Sequence, residues 1–91
     1  MEKRLELKIE GRVQGVGFRF AALRKARELG LKGWVKNDFN GSVEIVAEGV
    51  DENLKELLDW CYNGSENSQV EAVTANWRAA NDDFKEFSVL D

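Results

Sequence analysis

The chain has 91 residues, of which 43% are hydrophobic and 33% are charged, and its net charge is −4 at pH 7. That length and composition fit one soluble globular domain over residues 1–91, with a single modest core. The acidic balance argues against a general nucleic-acid binder, which usually carries a basic patch. Any anion-binding site must therefore be local.

Two residue types that often carry chemistry are scarce: histidine is absent and cysteine occurs once, at Cys61. The chain thus lacks the commonest general base and metal ligand, and it can form no internal disulfide. Residues 62–66 after Cys61 lack the arginine that a cysteine-dependent phosphatase loop needs. No apolar run approaches the roughly 20 residues of a membrane span, and residues 1–4 do not resemble a signal peptide. We expect a cytoplasmic protein that uses no metal or cofactor and binds no membrane.

The first predicted elements are a strand and a helix separated by a glycine-rich turn. Apolar residues alternate with charged ones from Leu5 to Ile9, which is the period of a half-buried strand. After the turn, residues 18–29 follow a helical period that ends at Gly30, a common helix stop. The apolar stripe of this helix consists of Phe18, Ala22, Ala26 and Leu29.

Two further strands, residues 31–38 and 42–48, are predicted to form a hairpin. The Asn-Gly dipeptide between them is typical of a two-residue loop, but that loop would set Val35 opposite Val46 and place other apolar residues opposite charged ones. A three-residue loop with a left-handed glycine sets Val35 against Ile45 and pairs opposite charges across the strands. We therefore predict the three-residue loop.

The second half of the chain predicts a helix over residues 51–62, capped by Asp51, and strands over residues 70–77 and 84–90. The buried face of the helix is predicted to comprise Leu54, Leu57, Leu58 and Cys61. The order strand, helix, strand, strand, helix, strand predicts an α+β, ferredoxin-like split βαβ sandwich (βαββαβ). In that fold two helices cover one face of an antiparallel sheet.

The turn between the first strand and helix reads GRVQGVGFR at residues 11–19, with three glycines and two arginines. One interpretation is that the glycines only allow the chain to turn. A nucleotide loop fails on spacing, because residues 15–20 lack the third glycine of the dinucleotide fingerprint and no Gly-Lys-Ser/Thr follows. An RNA-binding platform is suggested by Gly-Phe-Arg-Phe at residues 17–20, but these aromatic residues follow a helical period.

A phosphate site explains the turn more specifically. Successive backbone N–H groups of a glycine-rich turn form a concave anion site, and a helix N-terminus adds partial positive charge. Arg19 falls in the first helical turn, where a cation is unfavourable unless an anion lies between it and the helix. Its guanidinium can bind two phosphate oxygens at once. From the pattern alone, a solvated surface arginine stays an alternative.

The same turn, with Leu-Gly-Leu at 29–31, Gly-Trp-Val-Lys-Asn at 33–37 and Gly-Ser-Val-Glu at 41–44, resembles the acylphosphatase family. The resemblance is strong over residues 5–49 and weaker to Phe87. It implies the ferredoxin-like fold and hydrolysis of acyl phosphates without a metal. It also implies a water oriented by Asn37 and a phosphate bound by Arg19 and the backbone amides of Gln14, Gly15, Val16, Gly17 and Phe18.

Three residues depart from the family pattern. Asp38 follows Asn37 where threonine or serine is usual, and a carboxylate beside an anionic substrate would weaken binding or shift the pH optimum. Asn40 replaces a common aspartate, and Ser65 stands where proline is usual. A non-catalytic anion-binding module that lost turnover through Asp38 therefore stays open.

An RNA-binding domain is the other alternative, but Glu44 and Glu48 share the open sheet face with Trp34 and disfavour a polyanion. We expect a monomer that binds a small acyl phosphate and no nucleic acid. Inorganic phosphate or sulfate should compete for the same site.

Overall fold

Residues 2–90 are described by a computed structural model, which contains five strands and two helices over that range. The sheet order is β4-β1-β3-β2-β5, antiparallel except for the β2–β5 pair, which is parallel. The predicted ferredoxin-like fold is thereby confirmed, with a mixed rather than purely antiparallel sheet. Neither helix of the described range is long and apolar enough to cross a membrane. The elements are β1 (Glu2–Arg12), α1 (Phe18–Glu28), β2 (Lys32–Asn37), β3 (Val43–Val50), α2 (Asp51–Asn63), β4 (Gln69–Ala79) and β5 (Phe87–Val89).

The core lies between the two helices and one face of the sheet. Alternation along β1 buries every second residue, from Leu5 to Ile9, and leaves the charged residues on the opposite, open face. The predicted helical stripes are buried except for Leu29 and Leu58, which are only partly buried. Burial raises the pKa of the Cys61 thiol to about 12, so this cysteine is an inert core residue, as predicted.

The β2–β3 hairpin has the predicted three-residue loop. Val35 lies opposite Ile45, and Lys36 lies opposite Glu44. The N–H of Asp38 donates to the carbonyl of Ser42 over 2.9 Å and closes the loop. Asn37 is consequently the last residue of β2, at the end of the sheet where the hairpin turns.

The predicted N-cap of α2 is wrong by one position. Val50 occupies the cap in an extended conformation, and Asp51 is the first helical residue. Its carboxylate instead forms ion pairs with Lys55 at 2.9 Å and Lys3 at 3.4 Å, and the hydrogen bond from Lys55 is the main reason that its pKa is lowered. An acidic residue in the first turn still interacts favourably with the helix dipole.

The predicted last strand is also wrong in extent, because only Phe87–Val89 pairs with β2. Since β4 and β5 lie at opposite edges, residues 80–86 must cross the sheet, and they do so on its open face. The buried carboxylate of Glu48 holds this segment: it accepts the N–H groups of Asn81 and Asp82 at 2.9 and 3.0 Å and faces the Arg4 guanidinium at 3.4 Å. Sequence pattern could not show this, because the bonded groups are backbone amides distant in the chain.

Glu48→Ala is expected to lower the free energy of unfolding by about 2 kcal/mol, because it leaves the amides of Asn81 and Asp82 without their acceptor. The Arg4 guanidinium loses one of its two carboxylate partners and keeps Glu6 at 3.1 Å. Glu44→Ala is the matched control: Glu44 lies on the same strand and face, but its side chain is 39% exposed and its ion pair with Lys36 is 3.9 Å long. That change should cost less than about 1 kcal/mol. Urea unfolding measures both, and equal losses would contradict the anchoring role of Glu48.

Candidate active site

The two parts of the predicted site meet at one end of the strands. β1 and β2 are each antiparallel to β3, so they run in the same direction, and their C-terminal ends lie at the same end of the sheet. Residues 14–18, called the glycine loop below, follow β1, and Asn37 ends β2. The loop and the hairpin touch directly, because Gln14 Nε2 donates to the carbonyls of Asp38 at 2.8 Å and Ser42 at 2.9 Å.

The backbone of the glycine loop is left-handed at two positions. Gly15 and Gly17 have φ values of 74° and 78°, and Gly17 is the residue before α1, with no side-chain cap on the helix. A Cβ on either glycine would meet no atom within 4 Å, so the backbone conformation rather than crowding requires glycine. Left-handed residues placed in this way turn successive N–H groups toward a common concave side.

The first turn of α1 adds free donors. Its first backbone bond runs from the Ala21 N–H to the Gly17 carbonyl, so the N–H groups of residues 18–20 have no acceptor inside the helix. No acidic residue lies in this turn. Free amides at the positive end of a helix dipole attract an anion.

Arg19 lies half-buried in the same turn. Within residues 2–90 its guanidinium has no salt bridge and no hydrogen bond, whereas Lys25 on the same helix pairs with Glu56 at 3.0 Å and Arg27 donates to the Phe87 carbonyl. A cation at this end of a helix costs roughly 0.3–1 kcal/mol. An anion held between the guanidinium and the amides removes that cost.

Two residues of the glycine loop are fixed by packing. The Phe18 side chain is 1% exposed and its ring lies 5.2 Å from that of Trp60, so only its amide can face an anion. The Val16 carbonyl accepts a hydrogen bond from Ser65 Oγ at 3.2 Å. Ser65, a departure from the family pattern, thus supports the loop from the α2 side. No sequence pattern predicts this contact, because its acceptor is a backbone carbonyl.

The side chain of Asn37 has an unusual environment. Its Oδ1 atom is buried and has no hydrogen-bond partner within the described residues. A buried acceptor without a partner costs about 1–3 kcal/mol and is rare in folded proteins. The Asn37 side chain lies at the end of β2, beside the hairpin that Gln14 joins to the glycine loop.

Asp38 does not point the same way as Asn37. Neighbouring residues of a strand face opposite sides of the sheet, and the Asp38 carboxylate lies 3.4 Å from Ser42 Oγ, on the side of Glu44. The pKa of Glu44 is raised, first by burial and then by the nearby Asp38. The carboxylate therefore lies on the open face of the sheet, which weakens the argument that it repels a substrate at Asn37.

Gly17→Ala is expected to cost about 1–2 kcal/mol of stability, because alanine is strained at this positive φ. Gly30→Ala is a matched control, since Gly30 ends the same helix with φ 68° and has equally open surroundings. Both variants should lose similar stability in urea unfolding. Only Gly17→Ala should weaken inorganic phosphate binding, by about tenfold (about 1.4 kcal/mol) in calorimetric titration. Equal phosphate affinities in the two variants would contradict the anion site.

The residues that form these elements match known proteins over nearly the whole chain. The model of the acylphosphatase family matches residues 5–89. An acylphosphatase from Methylococcus capsulatus is 47% identical over 88 residues, which are 97% of this chain and 96% of that protein.

Solved structures agree. An acylphosphatase from Bacillus subtilis superimposes with a TM-score of 0.94 at 35% identity, covering 98% of this chain and 99% of that one. One from Coxiella burnetii gives 0.88 at 38% identity, with 98% and 93% covered. The resemblance inferred from the glycine turn is thereby confirmed, and the chain belongs to the acylphosphatase family.

Proposed function

We propose that the glycine loop, Arg19 and Asn37 form the site with which this acylphosphatase hydrolyses acyl phosphates to a carboxylate and inorganic phosphate. The observation that carries the proposal is the contact between the glycine loop and the β2–β3 hairpin. Through this contact the free amide donors of the loop and the unpartnered side chain of Asn37 lie at the same end of the sheet. The reaction is proposed to need no metal ion or cofactor.

The chemistry of the leaving group explains how a chain without histidine can hydrolyse an acyl phosphate. An acyl phosphate is a mixed anhydride, and its leaving group is the conjugate base of an acid with a pKa of about 4–5. Such a carboxylate departs without a proton, so no general acid is required. The site must only position the reactants and stabilise the charge on the transferring phosphoryl group.

The phosphate is proposed to lie against the backbone N–H groups of residues 14–18 and the Arg19 guanidinium. These donors stabilise the charge that spreads over the equatorial oxygens in the transition state. Gln14 can contribute only its backbone N–H, because both protons of its side-chain amide are bonded to the hairpin. Inorganic phosphate or sulfate should fill the same site and inhibit competitively.

Asn37 is proposed to orient the attacking water through its side-chain amide. A water held there can be aimed in line with the bond that breaks, which replaces a chance encounter by a fixed geometry. The proton of the water passes to a phosphate oxygen of the substrate. Asp38 lies on the other face of the sheet and is given no part in this step.

The test is hydrolysis of benzoyl phosphate, followed by ultraviolet absorbance in excess EDTA with inorganic phosphate as inhibitor. Turnover resistant to the chelator and competitive inhibition are expected. Phosphate binding without turnover in a folded sample would instead identify an anion-binding module. A gel shift with RNA at physiological salt would support the RNA-binding alternative. The single domain over residues 1–91, the monomeric state and the cytoplasmic location stay predictions.

A further inference from the structure

The side chain of Gln14 does more than begin the glycine loop. Its amide nitrogen has two protons, and each is bonded to one of the two carbonyls that close the β2–β3 hairpin, at 2.8 Å for Asp38 and 2.9 Å for Ser42. Asp38 is covalently next to Asn37. One side-chain amide thus connects the loop that would hold the phosphate to the strand end that would hold the water.

We propose that Gln14 is a positioning residue, whose side-chain amide sets the distance and angle between the glycine loop and Asn37 and so keeps the water in line with the phosphorus. The inference rests on the roles proposed above for the loop and Asn37. It deepens them, because Gln14 would act on the rate through Asn37 rather than on phosphate binding.

The local hydrogen bonds show why this contact positions the hairpin rather than merely stabilising it. The Asp38 carbonyl also accepts the Gly41 N–H at 3.1 Å, and the Ser42 carbonyl also accepts the Asp38 N–H at 2.9 Å. Both carbonyls therefore keep a partner when the Gln14 amide is removed, and the hairpin stays closed. What is lost is the direct bond between hairpin and loop.

The decisive variant is Gln14→Met, which keeps the length of the side chain and removes both donors. Its kcat for benzoyl phosphate should fall about 10- to 100-fold, because a misplacement on the order of 1 Å has that effect on an in-line reaction. KM and the inhibition constant of inorganic phosphate should change by less than about threefold, since the loop amides and Arg19 are intact. Gln14→Glu, whose carboxylate would face two carbonyl oxygens, should lose at least as much.

Asn53→Ala is the matched control. Asn53 makes a similar part-buried bond from its side-chain amide to a backbone carbonyl, that of Leu29 at 3.0 Å, but far from the site. Its removal should leave kcat unchanged. If Gln14 acts through Asn37, adding Gln14→Met to Asn37→Ala should lower kcat by less than about threefold further, because coupled residues are not additive.

Three results would overturn the inference: an unchanged kcat in Gln14→Met, a phosphate inhibition constant that rises in step with the fall in kcat, or losses that multiply in the double variant. If Asn37→Ala alone keeps the parent kcat, the water-positioning role itself is wrong and this inference falls with it. If Asn37→Ala behaves as proposed but Gln14→Met keeps the parent kcat, the inference alone is wrong.

Discussion

Arg19→Ala is expected to lower kcat/KM for benzoyl phosphate by about 10³-fold or more, the loss typical of removing a charged donor from a phosphoryl-transfer site. The same change should weaken inorganic phosphate binding by about 10- to 100-fold, because hydrogen bonds to charged groups contribute about 1.5–3 kcal/mol. Binding and rate should fall together, since the guanidinium is proposed to contact the phosphate in both the ground state and the transition state.

Arg19→Ala should raise the stability of the fold although it lowers activity. The guanidinium lies at the positive end of α1 with no salt bridge among the described residues, so its removal should stabilise the protein slightly, by up to about 1 kcal/mol. A control is Arg24→Ala, on the same helix and without a salt bridge in the described range, which should keep normal phosphate binding and rate. If both variants bind phosphate equally, Arg19 is only a surface arginine.

Local patterns predicted the parts of the fold that depend on neighbouring residues. The hairpin register is an example: only the three-residue loop pairs Val35 with Ile45 and Lys36 with Glu44, and the structure has that register. The side-chain period is two, so a slip by one residue would have turned an entire strand face out of the core. The predicted strand, residues 31–38, ends one residue beyond the observed β2, whose last residue is Asn37.

Contacts between distant backbone groups were not predictable in this way. The crossing of residues 80–86 depends on two amides that bond to Glu48, and a carboxylate on an open sheet face gives no sign of such partners in the sequence. The second role of Gln14 is hidden for the same reason, because its partners are carbonyl oxygens that every residue has. Backbone groups carry no sequence signature, so these bonds appear only in the folded structure.

The candidate site depends both on features that local sequence patterns predict and on contacts that only the folded structure shows. The glycines and Arg19 are visible in the sequence because the loop conformation and the charge demand particular residue types. The distance from the loop to Asn37 depends instead on the parallel course of β1 and β2 and on one side-chain amide. The fold therefore supplies the positioning that the proposed reaction needs, and the loop supplies the charge stabilisation.

Asn37→Ala is expected to separate these two contributions. Its kcat should fall by about 10²-fold or more, because the attacking water loses its orientation. KM and the inhibition constant of inorganic phosphate should change by less than about threefold, since the proposed phosphate contacts of the loop and Arg19 are left intact. Steady-state kinetics with benzoyl phosphate measures both, and normal turnover would refute the water-positioning role.

The stability of this variant adds a second, independent readout. Oδ1 of Asn37 is buried without a partner, so its removal should leave the free energy of unfolding unchanged or raise it by about 1 kcal/mol. Asn53→Ala should show the reverse, a loss of about 1 kcal/mol with normal kcat, because that amide is bonded to a carbonyl. A side chain that lowers stability yet is needed for turnover has been retained for catalysis, and a large loss of stability in Asn37→Ala would instead mark it as structural.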